Sequence, residues 1–447
     1  MKCAVVTPVG PGHEYFVEDC VESVHEAFTA NRGPFTSVNI VRIDDLQGLL
    51  GRSAARNRGA AEARRQGADW IFFLDADDLM HPGAFEVMTA YHADHDAVWG
   101  LICELTEDEE GYRIREGQLT SIERVELLLL NDPWLTIQMG HFVRSAAAIE
   151  TPFNVDLDCG EDFDYYLRLW SRFRCRKVAR PLSINRRGFR STGPRSSSSG
   201  EWRETVERII RTRCEAAEIA CEFACDGERF KFRVANPFDP IQRQYRKGTF
   251  FELAELRFMR DRLGKGLAVV DIGANVGNHA VFMSRFMAPR RILVLEPNPA
   301  LLDALNYNLC VNRVTEADTS YLGLAIGAGS QNYDLRIDNP NNVGAGHLVK
   351  SPSGKIRCER LDAIVKDRVD LIKIDVEGME LEVLEGAALT IARFRPYLFV
   401  EVFNAHLEAI EHWRREHDYR VVRRFDYINA ANFFLEPAQV RSAGAPG

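Results

Sequence analysis

Read by the spacing of its apolar positions, the chain is a succession of short apolar runs separated by amphipathic stretches, the rhythm of strands alternating with helices. Cys3 to Pro8 predicts a strand, Pro8-Val9-Gly10-Pro11-Gly12-His13 a rigid turn, and about Tyr15 to Phe28 a helix. Ser37 to Ile43 predicts a strand ending in Asp44-Asp45, and a helix rich in Ala and Arg opens at Gly51. Trp70 to Leu74 predicts a buried strand that runs into Asp75-Ala76-Asp77-Asp78, and Asp158 to Leu167 a helix with acids in its first turn. Five serines between Ser191 and Gly200 indicate an exposed loop, after which a helix is expected from Glu201 to about Cys225.

The second half repeats the rhythm. A helix from Phe251 to Leu263 precedes the strand Val269-Val270-Asp271-Ile272, which breaks at Gly273 and Gly277 before a helix from about Val276. A second apolar run, Ile292 to Leu295, ends at Glu296. A helix over Pro299 to Cys310, a strand over Tyr321 to Ile326, the run Ile372-Lys373-Ile374-Asp375, a strand over Pro396 to Val402 and a closing hairpin of Arg420 to Phe425 with Asn432 to Leu435 complete the pattern. The alternation predicts α/β architecture, with open parallel sheets whose ligand crevices lie at the C-terminal edges of the strands.

At 447 residues, with 46% apolar and 27% charged residues, the chain is expected to form two domains, residues 1–225 and 226–447. No run of 18 apolar residues and no signal-peptide pattern occurs, so a cytoplasmic location is expected. Ten scattered cysteines without a CxxC pair read as reduced core thiols, with Cys214, Cys221 and Cys225 on one helix face. A net charge of -9 argues against a nucleic-acid surface. The exception is Leu167 to Ser196, with ten Arg or Lys and no acid.

Three carboxylates after a buried strand repel one another unless solvent or a cation separates them. Asp75, Asp77 and Asp78 therefore read as a site for Mg2+ or Mn2+ that can neutralise a diphosphate leaving group, or else as a solvated acidic turn. The acids at Glu161-Asp162 either serve chemistry or complement a helix dipole. His141, the only histidine between His95 and His279, is a candidate acceptor contact or metal ligand, and alternatively a core residue.

In the second half Gly273 and Gly277 mark a turn where backbone must approach a ligand. Glu296, 25 residues after Asp271, can accept both hydroxyls of a ribose. A carboxylate at Asp271 would repel a pyrophosphate but suits the ammonium of S-adenosylmethionine, so Asp271, Gly273, Asn275, Gly277, Glu296 and Asn298 are the candidate cofactor residues. Asp375 stands where a methyl group would point, and is a candidate base or a helix N-cap. Glu377 and Glu401 are alternative bases, or the three acids bind a metal.

Residues 1 to about 195 resemble a GT-A glycosyltransferase of the inverting family 2. The resemblance rests on Asp44-Asp45, Arg56-Asn57, Asp75-Ala76-Asp77 as a DXD motif and Glu161-Asp162 as an ED motif. It implies a nucleotide-sugar donor bound by Asp44, Asp45, Arg56 and Asp75, a metal on Asp75 and Asp77, Asp162 as general base, and Arg186 or Arg187 on the diphosphate. The turn at Pro8 to His13 departs from the family, and no QxxRW motif follows, which argues against polymer synthesis. Residues 228 to 437 resemble the FkbM methyltransferases in Asp271 to Asn278, Glu296-Pro297-Asn298-Pro299 and Ile372 to Gly378. That resemblance implies a Rossmann-like class I fold with a terminal antiparallel hairpin, S-adenosylmethionine as cofactor and methylation of an oxygen. Together the two imply a bifunctional enzyme that acts on a carbohydrate or glycoconjugate acceptor. The alternative is an O-methyltransferase whose first domain only binds sugar.

Overall fold

The computed structural model describes residues 1–105, 111–186 and 200–438. They form two compact units, Met1–Ala216 and Ala217–Gly447.

The first unit is built on a six-stranded sheet in the order Ser37–Asp44, Lys2–Val9, Trp70–Phe73, His141–Arg144, Ala97–Leu101, Cys175–Pro181. One strand departs from the expected parallel pattern, because His141–Arg144 runs antiparallel to both neighbours. Its His141, Phe142 and Val143 are fully buried, so the strand reads like a parallel core strand, and periodicity carries no direction. Phe142 packs edge-on to Phe72 and stacks on Phe35 in the core beneath. His141 is on the opposite face, stacked on Trp99 with ring centroids 4.4 Å apart. Neither ring nitrogen has a hydrogen-bond partner, and burial, with the charge of Arg56, lowers its pKa to about 3. His141 is therefore a neutral core residue, and the acceptor or metal role considered for it does not fit.

The helix expected to reach Cys225 ends earlier. It spans Gly200–Ala217, and Ala220–Cys225 is a strand paired with Glu228–Arg233. The reason is the turn Asp226-Gly227, where both residues have positive φ, the geometry of a two-residue hairpin loop. Cys221 and Cys225 thus belong to a strand, and share no helix face with Cys214.

The second unit has a seven-stranded sheet in the order Ala317–Asp318, Arg291–Leu295, Ala268–Ile272, Leu371–Ile374, Tyr397–Phe403, Ala430–Pro437, Tyr419–Asp426. The first five strands are mutually parallel, and Ala430–Pro437 runs antiparallel to both Tyr397–Phe403 and its hairpin partner Tyr419–Asp426. The strand expected over Tyr321 to Ile326 is shorter, Leu324–Ile326, and belongs to a separate four-stranded sheet beside Ile356–Glu359.

Because side chains alternate along a strand, the two faces of this sheet differ sharply. Val270, Ile272, Ile372, Ile374, Val400, Val402, Ala431 and Phe433 share one apolar core. On the other face, near the C-terminal edge, the register sets Asp271 beside Lys373 and Glu401 beside Asn432. Among the described residues no helix is long and apolar enough to cross a membrane.

Candidate functional sites

In the first unit the acidic turn follows the strand Trp70–Phe73, and the helix Arg52–Arg65 supplies its counter-charge. Arg56 is only 3% exposed and donates from Nη2 to both oxygens of Asp75, at 2.8 and 3.0 Å, and from Nη1 to Glu161 at 3.1 Å. Its place in the interior does not fit the donor contact expected of it, and it instead joins the acidic turn to the helix Glu161–Trp170. Asn57 bonds both backbone groups of Phe153 at 2.8 Å. Burial works to raise the pKa of Asp75, but Arg56, with Arg52 and His13, holds the carboxyl below the usual range. Asp77 moves upward instead, through burial and then the charge of Asp75.

Of the three acids, Asp78 faces inward and accepts from the backbone N–H of Arg186 at 3.2 Å. Arg186 itself donates to Asp77 O at 2.6 Å, Asp19 at 2.8 Å and Phe16 O at 3.3 Å. These bonds make Arg186 a clamp on the acidic turn, a different use from the phosphate contact expected. Arg187 lies outside the described residues. Asp45 accepts from the backbone of Leu50 and Gly51 at 3.1 and 2.8 Å, so it shapes its own loop, while exposed Asp44 pairs with Arg42. Asp162, at the start of its helix, accepts from Phe163 N and Trp202 Nε1, both on Oδ1. His13, which carried no expectation, approaches closely enough to favour the ionised form of Asp75 and to oppose, without reversing, the rise at Asp77.

In the second unit the strand Ala268–Ile272 ends at Gly273, whose φ of +78° suits glycine. A Cβ there would lie 1.7 Å from the carbonyl oxygen of Asp375, so only glycine lets these two strand ends meet. Glu296 is 5% exposed and accepts from the backbone N–H of Asn275 and of Asn298, each at 2.8 Å. Burial raises its pKa to about 7 against those bonds. Asn275 has a φ of +52°, and Asn298 Nδ2 reaches Val343 O at 3.0 Å, which holds the turn Val343–Ala345 beside this corner. Gly277 lies where a Cβ would meet Leu305 at 2.9 Å, so its role is close helix packing.

Asp271 is fully buried, with its carboxylate 3.4 Å from Lys373 Nζ. A protein ammonium therefore stands where that of the cofactor was expected. Lys373 also faces Asp375 at 3.2 Å and donates to Gly273 O at 2.6 Å, tying the glycine turn to the neighbouring strand. Asp375 and Glu401 share a hydrogen bond, in which Lys373 helps hold Asp375 ionised while the charge of Asp375, then burial, raises Glu401. Glu377, at φ +52°, is pushed up to about 8 by burial and then by Asp375. Beyond these, Glu252 accepts from Asn432 Nδ2 at 2.6 Å and faces His279 Nε2 at 3.2 Å.

Lys373, Glu252, His279 and Asn432 were absent from the candidates. Lys373 alone had a signal, a charge inside the apolar run Leu371 to Ile374. The structure brings Asp271, Asp375, Glu377 and Glu401 together with these residues, and Glu296 with Asn275 and Asn298.

The chain is a two-unit α/β protein, and its matches to two family models make it a transferase. Residues 17–149 match the family model for glycosyl transferase family 2, and residues 271–421 that for the methyltransferase FkbM domain, so the chain carries both domains. It is 29% identical over 156 residues to methyltransferase sdnD of Sordaria araneosa, covering 26% of this chain and 59% of that one. It is 30% identical over 123 residues to hexuronic acid methyltransferase AglP of Haloferax volcanii, covering 26% of this chain and 48% of that one. The match thus spans less than two thirds of either relative. Among solved structures, TarS 1-349 of S. aureus in complex with UDP-GlcNAc has 15% identity and a TM-score of 0.37, covering 49% of this chain and 68% of that one. Methyltransferase FkbM of Methylobacillus flagellatus KT has 18% identity and a TM-score of 0.30, covering 52% and 60%.

Proposed function

We propose that the chain is a bifunctional glycan-modifying enzyme. Its first unit transfers a sugar from a nucleotide-sugar to a carbohydrate or glycoconjugate acceptor with inversion, and its second O-methylates a sugar hydroxyl. The observation that carries this reading is the arrangement in the second unit, where the acids Asp375 and Glu377 flank the tight Gly273 turn and buried Glu296 at one strand edge. The relative named a hexuronic acid methyltransferase supports a sugar as the methylated molecule.

When bound, S-adenosylmethionine supplies a methyl group on a positively charged sulfur. Gly273 would let the backbone approach the cofactor, and Glu296, held in place by two N–H groups, would accept from its ribose hydroxyls. The row of acids favours a positive ligand, and Asp375 takes the proton of the acceptor hydroxyl. In the first unit Asp77, with Asp75, would hold Mn2+ or Mg2+, which would supply charge neutralisation at the diphosphate. Asp162 accepts the proton of the incoming hydroxyl at Oδ2, which has no bond among the described residues.

A second reading keeps only the methyltransferase active and makes the first unit a sugar-binding module. It is favoured by the intrachain bonds of Asp75, Asp78, Asp45 and Arg186.

The methyl-donor assignment is tested by calorimetry of S-adenosylmethionine on Glu296→Ala. Loss of a charged hydrogen-bond acceptor is expected to weaken binding by roughly tenfold or more. Unaltered affinity in a folded variant would refute the assignment.

A further inference from the structure

We propose that Asp375, Glu377 and Glu401 together hold a divalent ion of the hard, oxygen-seeking class, Mg2+ or Mn2+, with the amide oxygen of Asn432 beside it. One carboxylate oxygen from each acid lies within 4.8 Å of the others. Oxygens around an octahedral ion of this class stand about 3 to 4 Å apart, so a small contraction completes the set. Among the described residues this is the one group of three or more such side chains drawn so close, and it is not the Asp75 and Asp77 pair.

Two further observations point to a cation. Lys373 faces Asp271 and Asp375, but among the described residues neither Glu377 nor Glu401 has a Lys, Arg or His at ion-pair distance. Independently, Asn432 is fully buried, commits Nδ2 to Glu252, and leaves Oδ1 with no hydrogen-bond partner. The antiparallel register sets Asn432 directly across from Glu401, on the same face of the sheet. A buried carbonyl oxygen without a donor is costly, and a hard cation or its bound water satisfies it here.

The ion's task rests on the methyltransferase reading, but its presence does not. The acceptor hydroxyl binds it as a further oxygen ligand, which lowers the hydroxyl pKa. As the new O–CH3 bond forms, the CH3–S bond breaks and its electron pair stays on sulfur. The hydroxyl proton passes to the oxygen of Asp375 turned away from the ion.

Electron paramagnetic resonance of free Mn2+ during titration of the full chain tests this, in an Asp77→Asn background that removes the other candidate site. One Mn2+ is expected to bind, and Glu377→Gln or Glu401→Gln to weaken it by roughly tenfold or more. Thermal unfolding of the same proteins reports that the unit is folded, and S-adenosylmethionine affinity is measured by calorimetry in the Asp77→Asn chain, where the three acids are intact. No Mn2+ bound in the Asp77→Asn background, or affinity untouched by both Glu variants, overturns the proposal. If Mn2+ behaves as expected and S-adenosylmethionine does not bind, the ion stands and the methyl-donor reading fails.

Discussion

Arg56 and His141 solve the problem of a buried ionisable group in opposite ways. Arg56 keeps its charge because Asp75 and Glu161 compensate it, and removing it would strand two carboxylates near the core. His141 has no partner and stays neutral. An unfolded histidine titrates near 6.5, whereas burial and then Arg56 hold the folded one down to about 3. Between those values the unfolded chain binds a proton that the folded chain refuses, so stability falls as pH drops below about 6.5, by about 1.4 kcal/mol per unit from this group. Above that pH its contribution is constant. Urea unfolding at several pH values between 7 and 4 (about the span over which the group acts) is expected to show a flatter profile in His141→Phe than in the native chain. Equal slopes would mean the ring titrates normally.

At the scale of elements, the glycine turns divide by what surrounds them. Gly227 has a φ of +85° in the open hairpin loop with nothing within 4 Å of a Cβ, whereas Gly273 would press a Cβ into the Asp375 carbonyl. Gly227→Ala is expected to cost about 1 to 2 kcal/mol, the left-handed penalty alone, and Gly273→Ala at least about 3 kcal/mol. Chemical denaturation compares them, and equal losses would deny the close approach. The Gly273 turn, Glu296 and Asp375 were legible in the sequence because each is signalled locally, by a glycine or acid at the end of an apolar run. The hairpin at Asp226-Gly227 is signalled too, but the spacing of Ala220 to Cys225 reads as the continuation of a helix. The row of Asp271, Lys373, Glu401 and Asn432 was not legible, because only strand register brings residues so distant in the chain side by side. The clamp role of Arg186 and the inward turn of Asp78 were hidden for the same reason.

At the scale of the whole molecule, the chain carries two family domains, each on its own sheet with acids at the strand edge. The central claim is that both perform chemistry, and that the chemistries separate residue by residue. Mass spectrometry of products from a panel of glycoside acceptors tests it, with UDP-, GDP- and dTDP-sugars, S-adenosylmethionine and Mn2+ supplied to the native chain and to Asp162→Asn. The native chain is expected to yield products bearing an added sugar and an added methyl group. Asp162→Asn would remove the proposed proton acceptor while keeping its size, so sugar addition should fall by roughly a hundredfold or more while methylation of a supplied glycoside continues. Sugar addition undiminished in Asp162→Asn, or methylation by a native chain that adds no sugar from any donor, would contradict the claim.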